Sequence, residues 1–289
     1  MRTFGSAIFA LIALLLVGIA LPGAWIDRNI VQVDGFVELA GPLGADPDFQ
    51  AQLTSALATE TTANAELPSA VADIVEPLIA DVAANVAALP GYPEAWNETL
   101  QRSHELSFPA DADVFSGVES PQPLRLDLSP VLALALQEVG DSLGVDVPAP
   151  EQTLVEVGAP ERQSTLGQLA AVAGLWPLMA AGAAVTALIA LVLARRRSTT
   201  LALLGLGAAV LGALYWAGVR AAPEALQQMR AERGASDGSI SALFQDGLVT
   251  QAATVSEPLC VAVVGAGVIL LVIGIAARLL SGGRRLRAA

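Results

Sequence analysis

The chain has 289 residues, 54% of them hydrophobic, and carries 28 acidic residues against 15 arginines and no lysine, for a net charge of −13. That balance leaves no basic folded face for a phosphate backbone and argues against nucleic-acid binding. A single histidine, His104, excludes a multi-histidine metal site, and a single cysteine, Cys260, excludes an intrachain disulfide.

Four apolar segments dominate the pattern, at residues 4–26, 171–194, 201–219 and 258–280. Each is near the roughly 20 residues that cross about 30 Å of hydrocarbon. Arg2 precedes the first. Arg195, Arg196 and Arg197 separate the second from the third, and Arg278, Arg284, Arg285 and Arg287 close the fourth. Basic residues collect on the cytoplasmic side, which predicts a multi-pass cell-membrane protein with both termini cytoplasmic. Trp25, Trp176, Tyr215 and Trp216 then all fall at the outer membrane face, where aromatic belts form. Abundant alanine and absent lysine read as the composition of a GC-rich bacterial genome.

The first segment has the basic start and apolar run of a signal peptide. It is longer than a usual signal core and is followed by no clean A-x-A site, so an uncleaved anchor is expected. The organisation predicted is an anchor over 1–26, an extracytoplasmic domain over 27–168, a transmembrane hairpin over 169–220, a second extracytoplasmic segment over 221–257, and a fourth span with a basic tail over 258–289. Of the 28 acids, 23 lie in residues 27–168, against Arg28, Arg102, Arg125 and Arg162, so the first outer segment has a net charge of −19. It is long enough to bury a modest core.

Within that segment the spacing predicts helices and one small extended pair. Asp46-Pro47-Asp48 reads as cap, proline and acid at a helix start, with Phe49, Leu53 and Leu57 on one face. From Ser69 to Leu89 the steps between Val71, Ile74, Val75, Leu78, Ile79, Val82 and Val86 alternate between three and four, the mark of an amphipathic helix that Pro77 would kink. Tyr92-Pro93 opens a third helix, with Trp96, Leu100, His104 and Phe108 spaced four apart. Leu124, Leu126 and Leu128 alternate with polar residues, as in a half-buried strand, and the β-branched stretch 153–157 is its expected partner. Ser129-Pro130 starts a fourth helix, with Leu132, Leu136, Val139 and Leu143 inward and Gly144 as its stop. From Ser164 the chain is expected to run as helix into the second span.

The second outer segment is too short to fold alone. Ile240, Leu243, Phe244 and Leu248 follow helical spacing, and such a stripe is expected to dock on the outer domain. A basic polar face would favour the bilayer surface instead, but here the stripe is flanked by Asp237 and Asp246.

His104 is the obvious general base. Its place on an apolar stripe between Leu100 and Phe108 favours packing. Asp46/Asp48, Asp111/Asp113 and Asp141/Asp146 are pairs of cation-binding chemistry. None has the spacing of a calcium loop, and a solvated acidic face is the simpler reading. Asn97-Glu98-Thr99 fits a glycosylation pattern but lies mid-helix. The span interiors carry no ionisable residue, which argues against a proton-coupled carrier or ion channel. Ala208 with Gly212, and Ala262 with Ala266, are small-x-x-x-small pairs that suit close helix packing. Glycine-rich phosphate loops, nucleophile elbows, C-x-x-C and H-E-x-x-H are absent from the sequence. No catalytic, cofactor-binding or metal-binding residue is therefore assigned.

The chain resembles a family of actinobacterial integral membrane proteins of four spans with one long outer domain. The likeness rests on residues 27–50, DRNIVQVDGFVELAGPLGADPDFQ, where a proline-leucine turn leads to a D-P helix start. It rests also on residues 93–106, PEAWNETLQRSHEL, with its W-x7-H helix, on residues 126–131, LDLSPV, and on the span and arginine turn of residues 175–197. The family implies architecture and topology and no activity. The function expected is that of a non-enzymatic envelope protein whose acidic helical outer domain binds or senses an extracytoplasmic partner. Its partners would be the lipid bilayer and an envelope or membrane protein. An accessory subunit of a transport or envelope-assembly complex is the alternative, and an envelope enzyme using His104 the weaker one.

Overall fold

The computed structural model describes residues 2–64, 85–108, 124–144, 148, 150–157, 172–233 and 239–283. These are mainly helical, with one two-stranded antiparallel sheet and four helices long and apolar enough to cross a membrane. Contacts divide the chain into two units. One comprises Met1–Asp27, Ala170–Ala222 and Ala253–Ala289, the other Arg28–Leu169 and Pro223–Ala252.

The first unit holds α1 (Arg2–Ile26), α6 (Trp176–Leu193), the start of α7 (Arg197–Arg233) and the end of α8 (Ile240–Gly283). Its large apolar side chains, such as Leu178, Leu188, Leu214 and Val272, face outward, while Ala13, Ala20, Ala183 and Ala190 are buried. Water penalises that arrangement at about 25 cal/mol per Å². Hydrocarbon accepts it, and small residues inside then let helices approach.

α7 and α8 approach backbone to backbone. A Cβ on Gly205 would sit 2.7 Å from Gly267 O, and one on Gly267 would sit 2.7 Å from Gly205 O and 2.8 Å from Ala209 Cα. One on Gly274 would meet Ala202 N at 2.6 Å. The packing face is therefore Ala202, Gly205, Ala209 and Gly212 against Val264, Gly267, Leu271 and Gly274. The expected Ala262/Ala266 pair is exposed, while Gly212 of the other expected pair packs closely, against Val264. Small residues occur on every side of these helices, so spacing alone does not identify the face in contact.

Polar groups tie the remaining helices of this unit. Ser6 Oγ donates to Ala190 O at 2.8 Å, Tyr215 OH donates to Gly18 O, and Trp176 Nε1 donates to Asp27 Oδ2 at 3.1 Å.

Several boundaries differ from expectation. After α1 the helix runs on through a π segment, Asp27–Val31. The expected proline-leucine turn is instead part of α2 (Val33–Ala45), with Pro42 inside the helix. α6 follows a turn at Gly174 and Leu175 rather than continuing from Ser164, and residues 158–171 lie outside the described set. Pro177 is the second residue of α6, and a proline, having no N–H to give, suits the first turn of a new helix. α7 and α8 run through Pro223 and Pro258 for 37 and 44 residues. At 1.5 Å per residue they are about 55 and 66 Å long, well beyond the hydrocarbon thickness.

The second unit has its own core. α3 (Pro47–Asn64) starts as expected, with Asp46 Oδ1 accepting from Asp48 N at 2.9 Å and Phe49 N at 3.2 Å. Phe49, Leu53 and Ala56 are buried, while the Leu57 side chain lies outside the described set. So does most of the helix expected from Ser69 to Leu89, with Pro77. At its described end Val86 joins the core and Leu89 packs on it. α4 (Tyr92–Ser107) buries Trp96, Leu100 and His104. Gly44 of α2 lies against the Trp96 indole, where a Cβ would meet Nε1 at 2.6 Å.

β1 (Leu124–Asp127) pairs antiparallel with β2 (Leu154–Val157), Leu124 opposite Val157 and Asp127 opposite Leu154. α5 (Ser129–Leu143) ends at Gly144, whose φ of 68° suits glycine. Val131, Leu134 and Ala135 of α5 pack on the core, whereas the expected Leu132 and Leu136 are half-buried and outside that cluster. Val139 and Leu143 have no described side-chain environment. The run from Val131 to Leu136 is apolar throughout and so fixes no phase.

The core is completed by the second polar segment. Ile240 and Phe244 are each 1% exposed, clustered with Phe36, Leu43, Phe49 and Trp96, and Leu243 and Leu248 pack against them. The stripe docks. Arg230 of α7 adds an ion pair, donating to Asp246 Oδ2 at 2.6 Å and to Gln245 Oε1 at 3.1 Å. Asp237 lies outside the described residues.

Candidate functional site

α4 carries the residues with the richest chemistry, on two faces. On one, His104 is 6% exposed, its ring 4.9 Å from Phe108 and 5.4 Å from Phe36. Nε2 lies 3.0 Å from Ile30 O. A carbonyl only accepts, so Nε2 carries the proton and donates. The acceptor belongs to the π segment, where irregular winding changes which carbonyls find partners. Burial lowers the His104 pKa below its usual value, opposed by hydrogen bonds to the carbonyls of Ile30 and Val31 and by the charge of Glu105. The imidazole is thus a neutral donor between two phenyl rings. At the head of the same helix, burial pushes the Tyr92 phenol up to about 12.

The other face is a buried hydroxyl row, Thr99, Ser103 and Ser107, at four-residue spacing. Ser103 Oγ donates to Thr99 O at 2.5 Å and accepts from Asp127 N at 2.8 Å. Ser107 Oγ donates to Ser103 O at 2.7 Å and accepts from Arg125 N at 3.1 Å. These hydroxyls satisfy alternate N–H groups of β1. Asp127 is 2% exposed, and its Oδ1 accepts from Ser129 N at 3.0 Å and Thr153 N at 3.1 Å. It joins strand, helix start and the return to β2. Alternation in the sequence placed Asp127 on the wet side. The signal that could have found it is Asp-Leu-Ser, an acid two residues ahead of a helix start.

The acidic pairs do not assemble. Asp46 caps α3, Asp48 and Asp141 are exposed, and Asp111, Asp113 and Asp146 lie outside the described residues. Among the described residues no three of His, Cys, Asp and Glu are grouped as a metal ion requires. In the glycosylation pattern Thr99 is fully buried.

In the first unit, Glu257 Oε1 accepts from Arg220 Nη2 at 2.6 Å and from Trp216 Nε1 at 3.2 Å, with the guanidinium 4.7 Å above the indole. At the opposite ends of the same helices, Arg195, Arg196 and Arg197 form the exposed turn between α6 and α7. The four apolar helices give the chain the character of a multi-pass membrane protein. No family model, curated protein or solved structure matches it.

Proposed function

We propose that the chain is a non-enzymatic multi-pass protein of a bacterial cell membrane, both termini cytoplasmic, whose acidic helical outer domain binds or senses an extracytoplasmic partner. The observation that carries this reading is a separate hydrophobic core in the unit of Arg28–Leu169 and Pro223–Ala252, built from both polar segments and joined by Ile240 and Phe244. A unit with its own core can present acidic side chains such as Asp48, Glu105 and Glu138, which are exposed, to a partner. The non-enzymatic part draws support from His104, whose Nε2 proton is committed to a backbone carbonyl. The arginine turn at one end of the apolar helices and Trp176, Trp216 and Glu257 at the other support the orientation. The four-span actinobacterial family is the kind of relative we infer.

Photo-crosslinking in living cells tests the partner. A crosslinking residue is placed at Asp48, Glu105 or Glu138 on the outer domain, or at Leu188 or Val272 on the spans. Adducts at the domain positions are expected. Adducts confined to span positions would instead favour the accessory-subunit reading. A reporter active only in the cytoplasm, fused after Ala289, should be active, and its silence would refute the orientation.

A further inference from the structure

Arg195, Arg196 and Arg197 stand exposed on the turn between two spans, and among the described residues none of them is in an ion pair. The carboxylates nearest this unit's polar ends, Asp27 and Glu257, lie with Trp176 and Trp216 at the other end of the helices. The turn's surroundings are tightly built. Ser6 of α1 bonds Ala190 O and lies 3.4 Å from Thr200 Oγ1, which holds the start of α1 beside the turn. Gly274 packs on Ala202, so Arg278, one helical turn further along α8, sits level with the first turn of α7. Exposed apolar side chains, Phe4, Val192, Leu203 and Leu279, lie on the stretches of α1, α6, α7 and α8 nearest this turn along the chain or by the Ser6 and Gly274 contacts.

We propose that this turn binds the headgroups of anionic phospholipids in the leaflet it faces, with Arg195, Arg196 and Arg197 taking the phosphate and these apolar side chains the acyl chains. The chemistry is a phosphate oxyanion held by guanidinium groups. Exposed apolar side chains on the same ends of these helices commit the occupant to a lipid rather than a free anion. The proposal rests on the membrane reading above and adds to it a choice of lipid. Each arginine near an anionic surface is worth roughly fivefold in binding, so three acting independently are worth on the order of 100-fold.

The full chain is reconstituted in nanodiscs of phosphatidylcholine with phosphatidylglycerol, and retained lipid is measured by native mass spectrometry. The wild type should retain phosphatidylglycerol in excess over its share of the bilayer. The R195Q/R196Q/R197Q chain should lose that excess by at least fivefold while its tryptophan emission stays unchanged. R220Q, at the other end of the helices, should keep the excess. A wild type without the excess, or a triple variant that retains it, would overturn the proposal. So would detergent-solubilised wild type that inorganic phosphate stabilises against heat as strongly as phosphatidylglycerol does, since the ligand would then be a soluble anion. A chain that never enters nanodiscs brings down the membrane reading, and this proposal with it.

Discussion

Phe244→Ala should open the core of the second unit although, Ile240 apart, every other buried member of that core lies more than a hundred residues away along the chain. The ring is 1% exposed and clusters with Phe36, Phe49 and Trp96. Next to it on α8, Gly247 is so close to α2 and α3 that a Cβ there would meet Leu43 Cδ2 at 3.0 Å and Phe49 Cε2 at 3.5 Å. The site is clamped and has little room to collapse. Removing a buried phenyl ring under such conditions costs about 3–5 kcal/mol. Cleavage of a transiently opened state tracks the opening equilibrium when closing is fast, so the cost converts to a rise of roughly 150- to 5,000-fold. With no lysine in the chain, trypsin cuts only at arginine, and Arg102 on α4 reports on this core. The assay is the rate of trypsin cleavage at Arg102 in the reconstituted full chain. Leu243→Ala, a partly buried neighbour, should raise the rate less, and Val272→Ala, on an exposed face of a span, should leave it unchanged. A Phe244→Ala rate within about fivefold of wild type, below the low end of that range, would refute the claim that the second segment completes the core.

Other outcomes follow from particular contacts. Gly267→Leu should prevent α7 and α8 from closing, since its Cβ meets backbone rather than a movable side chain, and should lower the thermal midpoint; Gly265→Leu, with open space around its Cα, should not. His104→Leu should keep the fold and flatten the acid limb of the stability curve. The folded-state pKa of His104 is depressed, so above about pH 6.5 both states are neutral, while below it the unfolded chain takes the proton first and stability falls with pH, by at most about 1.4 kcal/mol per unit. Denaturant titrations of both chains at several pH values check this. Arg230→Ala should cost about 1–2 kcal/mol in the same titration, less than for a fully enclosed pair, because water reaches the Asp246 carboxylate. Ser103→Ala should cost about 1–3 kcal/mol by leaving Asp127 N–H without its acceptor.

What the sequence made legible was whatever showed itself in spacing. Leu124, Leu126 and the β-branched stretch 153–157 gave the strand pair, Asp46-Pro47 the start of α3, and Ile240 with Phe244 the docked stripe. α2 stayed hidden because Gly35, Gly41, Pro42 and Gly44 read as turn residues, while the tertiary reason for Gly44, an indole pressed on its Cα, has no local signature. Pro223 and Pro258 hid the length of α7 and α8, since proline usually ends a helix. In the candidate site His104 was visible as a stripe residue, but its partners Phe36 and Ile30 O come from elements far back in the chain. The part played by Ser103 and Ser107 had no signal, because sequence gives no sign that a strand edge will lie across them.

The two faces of α4 answer one physical demand. A small domain with a π segment and a two-stranded sheet leaves backbone groups that helix and ladder do not satisfy, and burial makes each of them costly. α4 supplies the missing partners from side chains: an imidazole N–H for the carbonyl of Ile30, and hydroxyl oxygens for the N–H groups of Arg125 and Asp127. The chemistry of each is dictated by its target, since a carbonyl needs a donor and an amide needs an acceptor. That is why the histidine is protonated on Nε2, while burial, working against the pull of that hydrogen bond, favours the neutral ring and fits a role in packing. The two demands also differ in strength. A buried amide N–H has a single bond to make and is almost never left unpaired, whereas a carbonyl has two lone pairs and is more often under-satisfied. Ser103→Ala should therefore destabilise the domain more than His104→Leu at neutral pH, even though the histidine is the larger side chain and the more conspicuous one in the sequence. If the order is reversed, the imidazole does more for this domain than donate one hydrogen bond and fill space between Phe36 and Phe108.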